Sequence, residues 1–588
     1  MPAETVPAPL ARFRRPHGVG RAGCRSSRKR LPCLLVSLPL LLPAGLSAQR
    51  PSDTPEPPPY YAIRNARIVT VSGPVIESGT VVVADGLVRA VGTDVPIPPE
   101  AWVIDGHGLT VYPGLMDGLS NLGLQAGDGG SGGSPRAGGG GSPLDRPTAA
   151  TEPAEGPEDR PATTPWKSAA DELTDADDRL ERWREGGFTT ALSVPSEGIV
   201  TGQGAVINLG GEPEEMVVKA PAALRINLRP VGSLLRGYPG SLFGVISYVE
   251  QLFLDADNYT RATATYEAQP AGRPRPRYDR TLHPVQRSVA EGWAVLIPGD
   301  EPREIRRAVE LGEQLGVRTV VYGGHGGYAV ADELAAKGVS VLVNLKWPER
   351  TTDADPEAEE SLRTLEMRAN AASTPAALHE AGVPFAFYSG GLATPRQTLR
   401  NARKAIDAGL TEEVAVRALT LGAAEIYGVA DRLGSVEPGK IADLLVADGG
   451  LFDEGTKVKM VFVDGRKYEV QEASRPTEPP AVELGGKWSL TVQTPRGVQE
   501  STLDLAQAED GSLSGTLVGS RGEAEVTDGW VSGKKFSFTV TFSRGGRSFE
   551  STYTGALEGE RMKGTVSFGR FSAEFTGERP EEGEGGGR

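Results

Sequence analysis

Cysteine is nearly absent from this chain, and the position of the few that occur limits what they can do. Both cysteines of the 588 residues, Cys24 and Cys33, fall within the first 33 positions. A chain cut after Ala48 keeps no thiol, which excludes disulfide staples, Cys-ligated zinc, iron–sulfur clusters and cysteine nucleophiles together. Histidine is almost as scarce: five residues, of which His17 shares the same leader, leaving His107, His283, His325 and His379. The usual phosphate cradles are missing too. Gly202-Gln203-Gly204 and Gly323-Gly324-His325-Gly326-Gly327 are glycine-rich, but neither fits a strand–GxGxxG–helix fingerprint and no Lys-Ser/Thr follows. Both read as tight backbone turns. No Gly-x-Ser-x-Gly elbow is convincing, and the acid pairs Glu359-Glu360 and Glu412-Glu413 sit in polar helical patterns that suit a solvated face.

Positive charge is the minority, 62 Lys and Arg against 77 Asp and Glu. It is concentrated at the start, where Arg12 to Arg30 precede the apolar run Leu31–Leu46 and the small residues Ser47-Ala48. That order of basic region, apolar core and small-residue cut reads as an export signal over residues 1–48. The core of about 16 residues holds three prolines and falls short of the ~20 apolar residues that span a bilayer, so no stable membrane span is expected after cleavage. The expected location is periplasmic or extracellular, with the general and the twin-arginine export routes both open. Removing the leader takes the formal charge from −15 to −22. A chain that acidic repels phosphate backbones, so nucleic acid is not an expected partner.

What is present is organised in blocks. Ala62–Val71, Thr80–Ala84 and Leu87–Val91 are short, rich in Val and Ile, and broken by glycine, which is strand and turn chemistry. Asp443–Ala447 and Lys459–Val463, the latter followed by the hairpin signal Asp464-Gly465, repeat that character far downstream. Between them, strands at Thr189–Val194, Ala294–Ile297, Thr319–Tyr322, Val339–Val343 and Pro384–Tyr388 alternate with helices such as Arg303–Leu315 and Thr411–Leu421. Strand and helix in repetition predict a parallel sheet with helical crossovers, and the length suits an eight-fold barrel with insertions. One insertion, 127–165, is too rich in Gly and Pro to bury a core. Beyond a Pro-rich linker, short alternating stretches such as Trp488–Val492, Phe536–Phe542 and Phe571–Phe575 predict an antiparallel sandwich or small barrel, with Trp488 as a core plug.

Four segments carry a family resemblance: VYPGLMDGLSNLGL at Val111–Leu124, RLERWREGGFTTALSVPSEGIVTGQGAVINLGG at Arg179–Gly211, GGHGGYAVADELAAKGVSV at Gly323–Val341, and ALTLGAAEIYGVADRLGSVEPGKIADLLVADG at Ala418–Gly449. With them the chain resembles the amidohydrolase superfamily, and within it the exported imidazolonepropionase-like branch. The resemblance implies an α/β fold: a TIM-type (β/α)8 barrel flanked by a composite β-sandwich. The expected organisation is a signal peptide (1–48), the sandwich's first part (49–112), the barrel (113–436), the sandwich's second part (437–472), a linker (473–484), an all-β domain (485–579) and a disordered tail (580–588).

The resemblance also implies one or two divalent ions such as zinc, held by His and carboxylate ligands at the C-terminal ends of barrel strands, where they turn water into hydroxide. The ligand positions are substituted. The first strand keeps Pro113, Gly114 and Asp117 of Pro-Gly-x-x-Asp-x-His-x-His, but holds Leu119 and Asn121 where the two imidazoles belong. A carbon side chain ligates nothing and an amide oxygen is a poor ligand for first-row metals. The next two His positions fall near Pro298 and Gly323, and the last strand ends in Tyr388-Ser389-Gly390-Gly391 without a carboxylate. No metal and no other cofactor is therefore expected. The barrel-mouth candidates for binding are Leu119, Asn121, Gln203, His325 and Ser389, and His325 is the candidate pocket residue. Three functions follow as expectations: a hydrolase of carbon–nitrogen bonds in cyclic amide-like small molecules whose activity is lost or altered; a non-catalytic envelope protein that binds a small molecule or partner through the emptied barrel or the C-terminal β domain; and catalysis through a rearranged, metal-free site around His325.

Overall fold

The computed structural model describes residues 60–124, 160, 162–231, 239–350, 359–392, 394–453, 455–470, 478–494, 497–508, 511–519, 522–544, 547–568 and 571–579. The leader 1–48, most of the insertion 127–165, the start of the linker and the tail 580–588 lie outside them.

The first block is a sheet assembled from both sides of the barrel sequence. Strands β1 (Tyr60–Ile68), β2 (Ile76–Ala84), β3 (Leu87–Gly92), β4 (Trp102–Asp105) and β5 (Thr110–Pro113) come before the barrel. Strands β14 (Leu444–Ala447), β15 (Val458–Val463) and β16 (Arg466–Glu469) come after it. Their order is β16-β15-β14-β5-β1-β2-β3, with β4 beside β1. The seam is the antiparallel pairing of β14 with β5, Leu444 opposite Pro113 and Leu445 opposite Tyr112. Ile63, Ile68, Val81, Val111, Leu444 and Phe462 form its core. At Asp464-Gly465 both residues take positive φ, 50° and 73°, the hairpin geometry that an Asp-Gly pair favours.

The central block contains β6 (Leu115–Ser120), β7 (Phe188–Ser193), β8 (Val200–Asn208), β9 (Val217–Ile226), β10 (Ala294–Gly299), β11 (Arg318–Gly323), β12 (Ser340–Asn344) and β13 (Phe385–Tyr388), hydrogen-bonded in sequence order. Seven strands run parallel and β8 runs antiparallel to both neighbours, so β8 and β9 form a hairpin inside the barrel wall. Gly202-Gln203-Gly204, read above as a tight turn, lies within β8. The short intervals of apolar residues around Val200 and Ala205 let it extend as a strand, and the backbone of Gly202 at φ 142° passes Lys167 O where a Cβ would come within 2.7 Å. The wall closes between its first and last strands: the Ser389 amide donates to Asp117 Oδ1 at 3.0 Å, and a Cβ on Gly118 would stand 2.7 Å from Phe387 O, so that approach needs glycine.

Helices cover the barrel: α1 (Arg179–Glu185), α2 (Leu242–Ala268), α3 (Leu282–Ala290), α4 (Pro302–Leu315), α5 (Ala331–Lys337), α6 (Leu362–Asn370), α7 (Thr374–Glu380), α8 (Pro395–Asp407), α9 (Glu412–Ala418) and α10 (Leu421–Tyr427). Helix α4 shows why they form. Pro302 sits at its start, Glu301 and Glu304 make a reciprocal capping box, Ile305, Ala308, Val309 and Leu311 face inward, and Gly316 ends it at φ 66°. The single helix expected over Thr411–Leu421 is two, broken at Leu419-Thr420 between α9 and α10. His283 and His379 lie on α3 and α7, and His107 in the turn between β4 and β5.

The last block is β17 (Gly486–Thr494), β18 (Gly497–Gln507), β19 (Ser512–Gly519), β20 (Gly522–Ser532), β21 (Lys535–Arg544), β22 (Arg547–Glu558), β23 (Arg561–Phe568) and β24 (Phe571–Glu578), a closed antiparallel barrel. Closure removes every sheet edge. Trp488 is buried in it as expected, its Nε1 donating to Leu484 O at 2.8 Å while the Arg579 guanidinium lies 4.7 Å from its ring. Among the described residues, no helix is long and apolar enough to cross a membrane.

Candidate functional site at the barrel end

Strand alternation dictates what the inside of the central barrel holds. Its lower part is apolar: Met116, Leu192, Val206, Ala223, Leu296, Val320, Leu342 and Ala386 meet there. On β9, Leu224 and Ile226 pack between sheet and helices while Ala223 faces the axis, so Arg225 projects inward at the C-terminal end. The same two-residue period brings Pro298, Tyr322, Asn344 and Tyr388 to that end from four other strands, and β6, whose register shifts between Asp117 and Ser120, adds Leu119. This is where catalytic groups sit in barrels of this kind.

Asp117 is the buried acid beneath that layer, 1% exposed. Its Oδ1 accepts from the Ser389 amide at 3.0 Å and the Leu119 amide at 3.3 Å, but no described donor is aligned on Oδ2. Burial outweighs these amides and the nearby Ser389 hydroxyl, and pushes the carboxyl up to about 6. Tyr427 donates to Gly118 O at 2.6 Å, and Tyr322 Oη lies 2.7 Å from Asn227 Oδ1. Tyr388 is buried, and desolvation holds its phenol protonated far above the usual range.

The sequence candidates fall in different surroundings. Leu119 is packed in the apolar interior. Asn121 lies beyond the end of β6, its Oδ1 taken by Arg179 Nη1 at 2.8 Å and its carbonyl by Arg179 Nη2 at 3.0 Å. Gln203 donates from Nε2 to Pro165 O at 2.9 Å. Ser389 is buried beside Asp117. His325 follows β11 and is 4% exposed. Its Nε2 lies 2.8 Å from Asn344 O, its carbonyl accepts from Thr374 Oγ1 at 2.7 Å, and the Trp347 ring lies 5.6 Å away. Nδ1 is 2.8 Å from Asp300 Oδ1, out of line for a hydrogen bond.

The donor set does not fit the metal centre that the resemblance implies. Leu119, Pro298 and Gly323 have nothing to coordinate with, and the Asn121 amide oxygen is engaged by Arg179. Among the described residues no three His, Cys, Asp or Glu side chains converge as ligands. Sequence reasoning missed Arg225, Tyr322, Tyr388 and Tyr427. The signal for Arg225 was present, a lone charge inside the apolar run Ala222–Ile226, but it became legible only once β9 was identified as a strand.

Residues 316–470 match the Amidohydrolase family. An amidohydrolase of known structure from Thermotoga maritima aligns over 70% of this chain and 100% of its own, with a TM-score of 0.56 and 25% identity. A curated relative, adenine deaminase 1 of Desulfotalea psychrophila, is 39% identical over 64 residues, 11% of this chain; the match spans 10% of that protein's length.

Proposed function

We propose that this chain, similar to amidohydrolases over its barrel, has kept a small-molecule site at the barrel end while losing or altering the metal-dependent hydrolysis of that superfamily. The likeness to amidohydrolases supports a hydrolase by descent. The observation that carries the proposal is the substitution of the ligand positions by residues that cannot serve: Leu119 is packed in the core and Asn121 is held by Arg179. Loss of even a supporting hydrogen bond around a metal costs ~10–100-fold in affinity, and loss of the ligands themselves costs more. The groups that remain at the barrel end, a buried carboxyl, two phenols and a guanidinium, bind and orient polar ligands and move protons.

We place this activity outside the cytoplasm on the strength of the basic-then-apolar leader. The test is a hydrolysis assay over cyclic amides, dipeptides and aminopurines with zinc or manganese supplied. No turnover above the uncatalysed rate is expected. Sustained turnover of any of them that requires the ion overturns the reading.

A further inference from the structure

One charged side chain at the barrel end has no counter-charge. The Arg225 guanidinium lies 5.0 Å from the centre of the Tyr322 ring, and its Nε is buried with no hydrogen-bond partner among the described residues. No acid among the described residues forms an ion pair with it. Asp300 faces His325 Nδ1 at 2.8 Å, and Asp117 is held by the Ser389 and Leu119 amides. The Tyr322 hydroxyl is spent on Asn227. A half-buried cation stacked on a ring and left unpaired is costly unless an anion arrives from outside the chain. Tyr388 adds a second group: burial keeps its phenol protonated, a form that can donate.

Resting on the reading of the barrel end as a small-molecule site, we propose that Arg225 is its anion anchor and that the ligand is a small apolar molecule bearing one carboxylate, seated on the guanidinium fork with Tyr388 as a further donor. A planar fork matches a carboxylate in shape, and one cation matches one negative charge. The nearby Asp117 and Asp300 disfavour a dianion such as a phosphate monoester. Leu119 and Pro298, apolar where relatives hold ligands, suit an apolar body next to the charged group.

The full-length protein is titrated, by calorimetry and thermal shift, with hippurate, phenylacetate and octanoate, each against its neutral amide. At least one acid should bind more than tenfold more tightly than its amide, and Arg225→Gln should abolish that preference. Arg225→Met, without ligand, should melt no lower than wild type and up to roughly 2–4 °C higher, because an unpaired cation has been removed. Equal binding of acid and amide, or a preference that survives Arg225→Gln, overturns the assignment of Arg225 while leaving the pocket in place. Failure of every acid and every amide to bind overturns both the anchor and the pocket. A lower melting temperature for Arg225→Met makes Arg225 a structural residue and also overturns the anchor.

Discussion

Asp443, one residue before β14, accepts a hydrogen bond on Oδ2 from the Thr190 hydroxyl of β7 at 3.0 Å, tying the composite sheet to the second strand of the barrel. Its Oδ1 accepts from the Asp464 amide at 2.7 Å, and its carbonyl accepts from the Gly114 amide at 2.8 Å. One buried residue thus joins the sheet's hairpin turn, the entry to the barrel and the barrel wall. Thr190→Val keeps the shape and removes one donor, leaving the buried carboxyl a hydrogen bond short. It should cost about 1–3 kcal/mol in denaturant unfolding at pH 8. The cost should shrink at pH 5.5, where the carboxyl is protonated. A variant as stable as wild type at pH 8 means that the bond does not join the two parts.

Burial of Asp443 and Asp117 also sets a pH dependence. Their carboxyls are pushed up to about 7 and about 6, mainly by desolvation. The folded state therefore holds these protons more tightly than the unfolded chain, where an aspartate titrates near 3.9. Their stabilising contribution is complete below about pH 4 and is lost as pH rises through 6 and 7. Acids held low by ion pairs, such as Glu437 at about 2, are fully ionised in that window and contribute no slope. Melting temperature should fall between pH 5 and pH 8, and Asp443→Asn should flatten the fall. A melting temperature that climbs over that range refutes the assignment.

The buried His325 ring holds the Asn344 carbonyl through Nε2 at 2.8 Å, while its backbone carbonyl accepts from Thr374 Oγ1, a bond that a side-chain substitution leaves in place. His325→Ala should therefore lower the melting temperature by several degrees, the size expected when ~1–3 kcal/mol of buried hydrogen bonding is lost. His325→Gln, which can still donate to Asn344, should recover part of it. If instead His325→Ala melts like wild type and only ligand binding suffers, His325 is a pocket residue and not a clamp.

The seam between β14 and β5 predicts the outcome of truncation. A chain ending at residue 474 keeps β14, β15 and β16 and should stay soluble with cooperative melting. One ending at residue 436 loses them together with Asp443, exposes the β5 edge, and should aggregate. Equal solubility of the two would show that the sheet does not depend on its second part.

The architecture was legible wherever period and punctuation were strong. Val-rich runs such as Thr319–Tyr322 and the amphipathic, Pro-started helix at Pro302–Leu315 lie within two residues of their expected bounds. The hairpin of β8 and β9 was not legible, because Gly202 and Gly204 look like turn residues when their partner strand is unknown; inside a wall they serve close backbone approach instead. Helix α2 was hidden for a different reason. The second half of its 27 residues packs on little and carries no apolar stripe to read. At the site, the substitutions at Leu119 and Asn121 were visible in the sequence as departures from a motif. The convergence of Arg225, Tyr322 and Tyr388 was not, since three strands far apart in the chain bring them together and only the register of the wall places them in one layer.

The claim that the barrel has kept its fold and lost its metal centre is tested most directly by elemental analysis of the full-length protein, purified without a metal-binding tag and dialysed against chelator-free buffer. The account predicts less than stoichiometric zinc, manganese and iron, and a melting temperature unchanged by added ion. One or more ions per chain surviving dialysis, with a melting temperature that rises when the ion is restored, contradicts it and returns metal-assisted hydrolysis to this site.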